Sequence, residues 1–237
     1  MKRTVILIDG QNLFYSLKNL NIYERDVKWN ELFKWFLAAE DELIRTYWFR
    51  PQRLLDTHYT TQNIKNQIIY KKFNNYYSDF LNNTGNIPQT TLNQVNSECT
   101  KVEEWLRNEK IRFSQIEYSY DQLSLEYEDV EIVKTGIVKI DPFKQIFIGE
   151  KGVDISLAVK MIALSVEKKC DKIILVSGDY DYAEAINFVK NNMTKIHIVK
   201  FHKGFPPKNK SVSRDLAVLA DKVIDVFESE LKASFIK

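Results

Sequence analysis

Short uninterrupted aliphatic runs alternate along this chain with stretches in which apolar residues recur every three or four positions. Val5-Ile6-Leu7-Ile8 ends on Asp9-Gly10, and Ile173-Ile174-Leu175-Val176 ends on Ser177-Gly178. Runs of this kind, bounded by turn residues, predict strands covered on both faces, the habit of parallel sheets. Helical spacing follows each: Leu13, Phe14, Leu17 and Leu20 after the first, Tyr182, Ala185, Ile186 and Val189 after the second. Strand, tight turn and helix in that repeated order predict an α/β fold on a mainly parallel sheet.

Between these units the pattern predicts further elements. Trp29, Leu32, Phe33, Phe36 and Leu37 fit an amphipathic helix, and Arg45-Thr46-Tyr47-Trp48-Phe49 a third strand. From about residue 55 to 97 the chain is rich in Asn, Gln, Thr and Tyr, with Ile69, Phe73, Tyr76, Tyr77 and Phe80 at helical spacing. Leu92, Val95, Cys99, Val102 and Leu106 continue that period after a turn around Gly85-Asn86 and Pro88. Lys65, Lys71 and Lys72 line the polar side, an arrangement that either stacks bases and holds phosphates or packs one helix on its neighbour. Residues 111 to 148 read as extended, from the alternation of Ile111 and Phe113 to the β-rich Ile132 to Ile148, with Pro142 at a turn. Leu157, Ala158, Met161, Ile162 and Leu164 form a helical face after Gly152-Val153-Asp154. Ile196-His197-Ile198-Val199 is another strand, and a last helix is expected from about Arg214 with Leu216, Leu219, Val223 and Phe227 inward.

With 237 residues, 44% of them hydrophobic, the chain can bury a core without disulfide staples. Two cysteines without metal-ligand spacing argue against zinc and for a reducing compartment. Lys2-Arg3 leads straight into the first strand and no run reaches membrane-spanning length, so a cytoplasmic location and no membrane partner are expected. A net charge of +2 gives no global argument for nucleic acid, but Lys200, Lys203, Lys208, Lys210 and Arg214 fall in one stretch without an acid until Asp215. That stretch is the candidate nucleic-acid contact.

Carboxylates recur where strands give way to helices: Asp9 after the first run, Asp154 at a helix start, Asp179 and Asp181 after the Ser-Gly turn. Such junctions favour acids as helix caps and first-turn residues, and Asn12 is itself a candidate cap. They also lie at the strand edge where doubly wound sheets bind ligands, and four carboxylates meeting there, with no His or Cys cluster, suit magnesium or manganese. A cation so held can orient a phosphodiester and lower the pKa of water. Dinucleotide and P-loop phosphate binding lack their glycine-rich turns, and no G-x-S-x-G elbow supports acyl transfer. His58, His197 and His202 are scattered, and His197 is expected to be a packed or edge histidine.

Three segments carry a resemblance. Val5 to Asn12, Lys151-Gly152-Val153-Asp154 and Val176-Ser177-Gly178-Asp179-Tyr180-Asp181-Tyr182 resemble the signature segments of the NYN domain, the LabA-like branch of the PIN-like ribonucleases, and the stretch from Ser213 to Ile224 is similar to that family's end. The resemblance implies a three-layer α/β/α sandwich; the chain is expected to be one such domain over residues 1 to 237, departing from a compact member of the family in a helical and β-rich insertion at about 55 to 148. It further implies an RNA-cleaving site dependent on Mg2+ or Mn2+, with Asp9, Asp154, Asp179 and Asp181 as the acidic metal site. Asn12 would fix the first loop, Ser177 would hydrogen-bond a water on the metal, and Lys151 would offset phosphate charge. The expected partner is RNA, single-stranded or structured, with the insertion open to a protein partner or a second copy. The competing expectation is a module of the same fold that binds RNA or protein without turnover.

Overall fold

Buried aliphatic runs and short turns generate the observed layers, in a computed structural model that describes residues 1–207 and 213–237. In chain order the elements are β1 (Lys2–Asp9), α1 (Gly10–Asn19), α2 (Trp29–Trp35), β2 (Asp41–Arg50), β3 (Arg53–Leu55), α3 (Thr61–Lys72), α4 (Tyr77–Asn82) and α5 (Gln89–Glu126). They continue as β4 (Val130–Lys134), β5 (Ile137–Asp141), β6 (Ile146–Lys151), α6 (Val153–Val166), β7 (Lys172–Val176), α7 (Ala183–Asn191), β8 (Lys195–His202), α8 (Arg214–Leu219), β9 (Lys222–Phe227) and α9 (Glu228–Ser234). Contacts gather these into two compact units, one of residues 1–51, 120–136 and 152–237, the other of residues 52–119 and 137–151.

The first unit is built on a sheet of order β4-β2-β1-β7-β8-β9, every neighbouring pair parallel. Alternate residues along each strand enter opposite cores. Ile6, Ile8, Trp48, Ile174, Val176 and Val199 face Leu13 and Leu17 of α1 and Trp29, Leu32 and Phe33 of α2. Val5, Leu7, Phe49, Ile173, Leu175, Ile196 and Ile198 face Leu157 and Met161 of α6 and Ile186 and Val189 of α7. Helices therefore cover both faces of a parallel sheet, giving the α/β/α sandwich. The strand order reverses between β1 and β7, because the chain winds outward from β1 through β2 to β4 and then returns to build β7, β8 and β9 on the other side. A crevice for ligands opens at such a reversal, outside the carboxyl ends of the strands.

The second unit joins α3, α4 and most of α5 to a three-stranded sheet, with β3 and β5 parallel and β5 and β6 antiparallel across Pro142. Its core contains Ile64, Ile68, Ile69, Val95, Cys99, Val102, Leu106, Val138 and Ile140, with Phe73, Tyr77 and Phe80 packed against them. The aromatic stripe thus serves helix packing. Lys72 is paired with Glu98 at 2.7 Å and Lys71 lies 4.9 Å from the Phe143 ring centroid.

Two expected elements differ. Residues 111 to 126 are helical, not extended: α5 runs for 38 residues, and no proline or glycine interrupts the chain from Gln89 to Asp129. One alternation of Ile111 with Phe113 is too short to outweigh that continuity, and Ile111 is in fact 52% exposed while Phe113 packs inward. The expected final helix stops at Leu219, and Val223 and Phe227 belong to β9, the edge strand beside β8. Leu216, Leu219, Val223 and Phe227 are spaced as in a helix, but Val223-Ile224 and Val226-Phe227 are β-branched and aromatic residues that gain more by pairing with β8. No helix among the described residues is long and apolar enough to cross a membrane.

Candidate active site

Parallel pairing of β1 with β7 sets the geometry, because Ile8 is level with Val176 and the chain continues from them to Asp9 and Ser177 on one edge. Asp9 is 3% exposed and Ser177 2%. The Ser177 hydroxyl donates to Asp9 Oδ2 at 3.0 Å, and the backbone N–H of Asn12 donates to Asp9 Oδ1 at 3.0 Å. Asp9 is therefore the cap of α1. Asn12, expected as a candidate for that role, sits inside the first turn instead, and its side-chain oxygen accepts from the Gly178 N–H at 3.0 Å. A helix start needs one side-chain acceptor for its orphan N–H groups, and Asp9 supplies it, which releases Asn12 to tie the first loop to the third.

Gly10 is required where it stands, since a Cβ there would lie 2.3 Å from Arg50 Cδ and 2.6 Å from the Phe49 carbonyl oxygen. Arg50 ends β2 beside this turn, its guanidinium 3.0 Å from Glu24 and 4.0 Å from the Tyr120 ring centroid, with the Tyr120 hydroxyl also bonded to Glu24. The sequence pattern gave no sign of this cation, because Glu24 and Tyr120 are far from it in the chain.

The third loop is held in the same manner. Asp179 caps the short turn at Tyr180–Tyr182 by accepting from the Asp181 N–H at 3.1 Å, and its own N–H donates to Ser177 Oγ at 3.2 Å. Tyr182 is 1% exposed, and its hydroxyl lies 3.2 Å from both Asp9 Oδ2 and Asp154 Oδ1. The sequence shows Tyr182 as an apolar helix position at the end of the third signature segment; that its hydroxyl joins two of the candidate carboxylates depends on contacts 173 and 28 residues apart. Burial and these neighbouring carboxylates push the Tyr182 hydroxyl far above the ordinary tyrosine range, so it stays protonated and keeps a proton to donate to them.

The acids act on one another. Burial raises the Asp9 carboxyl, opposed by hydrogen bonds from Asn12, Ser177 and Tyr182 and aided by the charge of Asp179. Burial also raises Asp154, and the charges of Asp9, Asp179 and Asp181 add to the effect. The charge of Asp179 reaches Asp9, and those of Asp9, Asp179 and Asp181 reach Asp154, so the four acids lie near one another at the strand edge where Asn12 and Ser177 also stand. Lys151 is exposed at the end of β6, in the second unit. Lys200 is half-buried on β8, Lys203 follows that strand, and Arg214 is exposed at the start of α8. Ser213, just before Arg214, donates its N–H to the Gly178 carbonyl at 3.4 Å, which anchors that helix start to the third loop. Lys208 and Lys210 lie outside the described residues. His197 is held down to about 4 by burial and by the charges of Lys172 and Lys222, so it is a neutral packed residue near pH 7.

The donor set fits a hard divalent cation: it is all oxygen, and the raised Asp9 and Asp154 carboxyls are relieved by a positive ion. Among the described residues no three His, Cys, Asp or Glu side chains form a group able to hold a metal ion by themselves. Two carboxylates completed by water and substrate oxygens are the usual protein share of a magnesium site, and Asp9 and Asp154, joined on one hydroxyl, are the pair that would have to supply it.

The family model described as the NYN domain matches residues 92–230, more than half of the chain; the match takes in Asp154, Ser177, Asp179 and Asp181 and begins after Asp9 and Asn12. No curated protein matches the chain. A crystal structure of a protein of unknown function from Vibrio parahaemolyticus is similar at 14% identity and a TM-score of 0.47, over 95% of this chain and 93% of that one.

Proposed function

The chain belongs to the NYN domain family, whose fold is PIN-like and nuclease-like, and from that premise we propose that it is a metal-dependent ribonuclease hydrolysing RNA phosphodiester bonds at Asp9, Asp154, Asp179 and Asp181. The observation that carries this reading is the convergence of those acids on the edge where the strand order reverses, two of them on the Tyr182 hydroxyl. Mg2+ or Mn2+ would be held by Asp9 and Asp154, with Asp179 and Asp181 adding negative field, and such an ion neutralises charge on a phosphate and acidifies water. Asn12 and Ser177 fix the first and third loops to each other, so the carboxylates need no reorganisation when RNA arrives. Arg214, Lys200 and Lys203 would draw in the phosphate backbone on the same side.

The test is cleavage of labelled RNA, single-stranded and hairpin, with magnesium or manganese, by the protein and by Asp154→Asn. Loss of one ligand removes several kcal/mol of transition-state stabilisation, so the variant should cleave at least about 100-fold more slowly, and chelation should abolish cleavage. A folded variant that cleaves at full rate, or a native protein inert towards varied RNAs, overturns the reading.

A further inference from the structure

Aromatic residues are exposed on the two segments that carry Asn12 and Asp179. Tyr180, between Asp179 and Asp181, is 53% exposed, and Tyr15 and Phe14 on α1 are 53% and 44% exposed, although the same segments bury Tyr182, Leu13 and Leu17 almost completely. Tyr15 lies one turn beyond Asn12 on α1, and Asn12 is bonded to Gly178, two residues before Tyr180. Tyr15 and Tyr180 therefore rise from the two segments that this bond ties together. Arg214 follows Ser213, which bonds to the Gly178 carbonyl, so an exposed cation stands on a third segment joined to the same glycine. Lys18 adds a second cation, 5.9 Å from the Phe14 ring centroid.

We propose that Tyr15 and Tyr180 are base-contacting residues of this site, each stacking an unpaired base of the bound RNA. The inference rests on the ribonuclease reading above and deepens it. A half-exposed ring offers a base an apolar surface, and any of the bases can use it because each has a π-face. In a duplex those faces are already covered by neighbouring pairs, and only strands with splayed bases can reach the rings. An apolar protein partner would have to desolvate Asp179 and Asp181 on either side of Tyr180 without offering them a counter-charge, which is costly. Nucleic acid brings bases for the rings and phosphates for Arg214.

The test is fluorescence anisotropy of a labelled oligouridylate, free and annealed to oligoadenylate, with calcium as the hard cation. Tyr15→Ala and Tyr180→Ala should each weaken single-strand binding about 5- to 150-fold, from stacking worth about 1–3 kcal/mol per base, while the annealed form is unaffected. Tyr→Phe at each position should bind as the native protein does, and Tyr→Leu, which keeps apolar area without a ring, should bind as weakly as Ala. Both positions are exposed, so unchanged melting temperatures are expected and separate folding from binding. Alanine variants that keep single-strand affinity, equal losses for both RNA forms, or a native protein that does not bind the single strand would overturn the proposal. Cleavage with unaffected alanine variants removes the base contacts alone; the stacking pattern without any cleavage removes hydrolysis alone.

Discussion

Two buried aspartates occupy opposite edges of the same parallel sheet and are treated in opposite ways. Asp41, at the start of β2, accepts from Lys172 Nζ at 2.6 and 2.5 Å and from the Ala38 N–H at 2.8 Å. Both side chains of that pair are almost completely buried. Burial by itself raises the Asp41 carboxyl, but the hydrogen bonds from Lys172 and Ala38 and the lysine charge outweigh it and hold the group below its ordinary range. Asp9, at the other edge, is given hydroxyls and a backbone N–H, with no cation bonded to it among the described residues and a further acid beside it; its carboxyl is raised. A structural carboxylate is neutralised by its own chain. A buried carboxylate left beside other acids carries an unfavourable field that a cation would relieve, which is what the proposed metal site requires.

The largest effect should come from the paired edge. Lys172→Met leaves Asp41 buried without its counter-charge and should cost about 3–5 kcal/mol in urea unfolding at neutral pH. Because the folded-state pKa of Asp41 is depressed, its contribution is complete above the ordinary carboxylate value and is lost as pH falls through the folded value. The penalty of Lys172→Met should therefore shrink in acid. A penalty that is small at neutral pH would mean that the two edges are not different in kind.

At the crevice the sign should reverse. Asp9 and Asp154 have raised folded-state values, so their stabilising contribution is complete below the ordinary carboxylate range and is lost as pH rises through the folded values. Asp9→Asn keeps an acceptor for the Asn12 N–H and removes the buried charge, and should stabilise the protein at neutral pH by on the order of 0.5–2 kcal/mol while abolishing RNA cleavage. Urea midpoints of the variant and the native protein, compared from acid to neutral pH without divalent ions, measure this. A destabilised Asp9→Asn would make the crevice an internal polar network like the other edge.

How much of this contrast the sequence exposes depends on range. The aspartates at the three junctions are legible because each sits beside a buried aliphatic run or a glycine turn, local signals within a few residues. The Tyr182 bridge, the Asn12 contact with Gly178 and the Asp41–Lys172 pair join residues up to 173 positions apart, and they exist only because β1 and β7 pair in parallel at one register. Asn12 misled for the same reason: two potential caps stood in one turn, and only the neighbouring strand decided between them. Local spacing failed outright at Val223 and Phe227, where strand residues repeat at helical intervals, and at Ile111 and Phe113, where an alternation of two residues interrupts a helix of 38. In each case the deciding term was pairing or continuity beyond the window in which the pattern was read.

The smallest expected effect separates burial from pairing. Arg3 and Asp171 lie at the same edge as Asp41 and Lys172, with the guanidinium 2.8 and 3.2 Å from the two carboxylate oxygens and the Arg3 N–H a further 2.8 Å donor. The Asp171 carboxyl is lowered by those side-chain and backbone hydrogen bonds, so by charge and geometry the pair resembles Asp41–Lys172. Yet the two side chains are 45% and 42% exposed, water solvates both when they part, and the backbone N–H of residue 3 remains as a donor after side-chain truncation. Arg3→Ala should therefore cost far less than Lys172→Met, and less again in high salt, whereas the Lys172→Met penalty should be nearly insensitive to salt. If Arg3→Ala cost as much as Lys172→Met, pairing alone would set the stability of this edge, and the raised Asp9 would need an explanation other than the absence of an internal cation at a buried carboxylate.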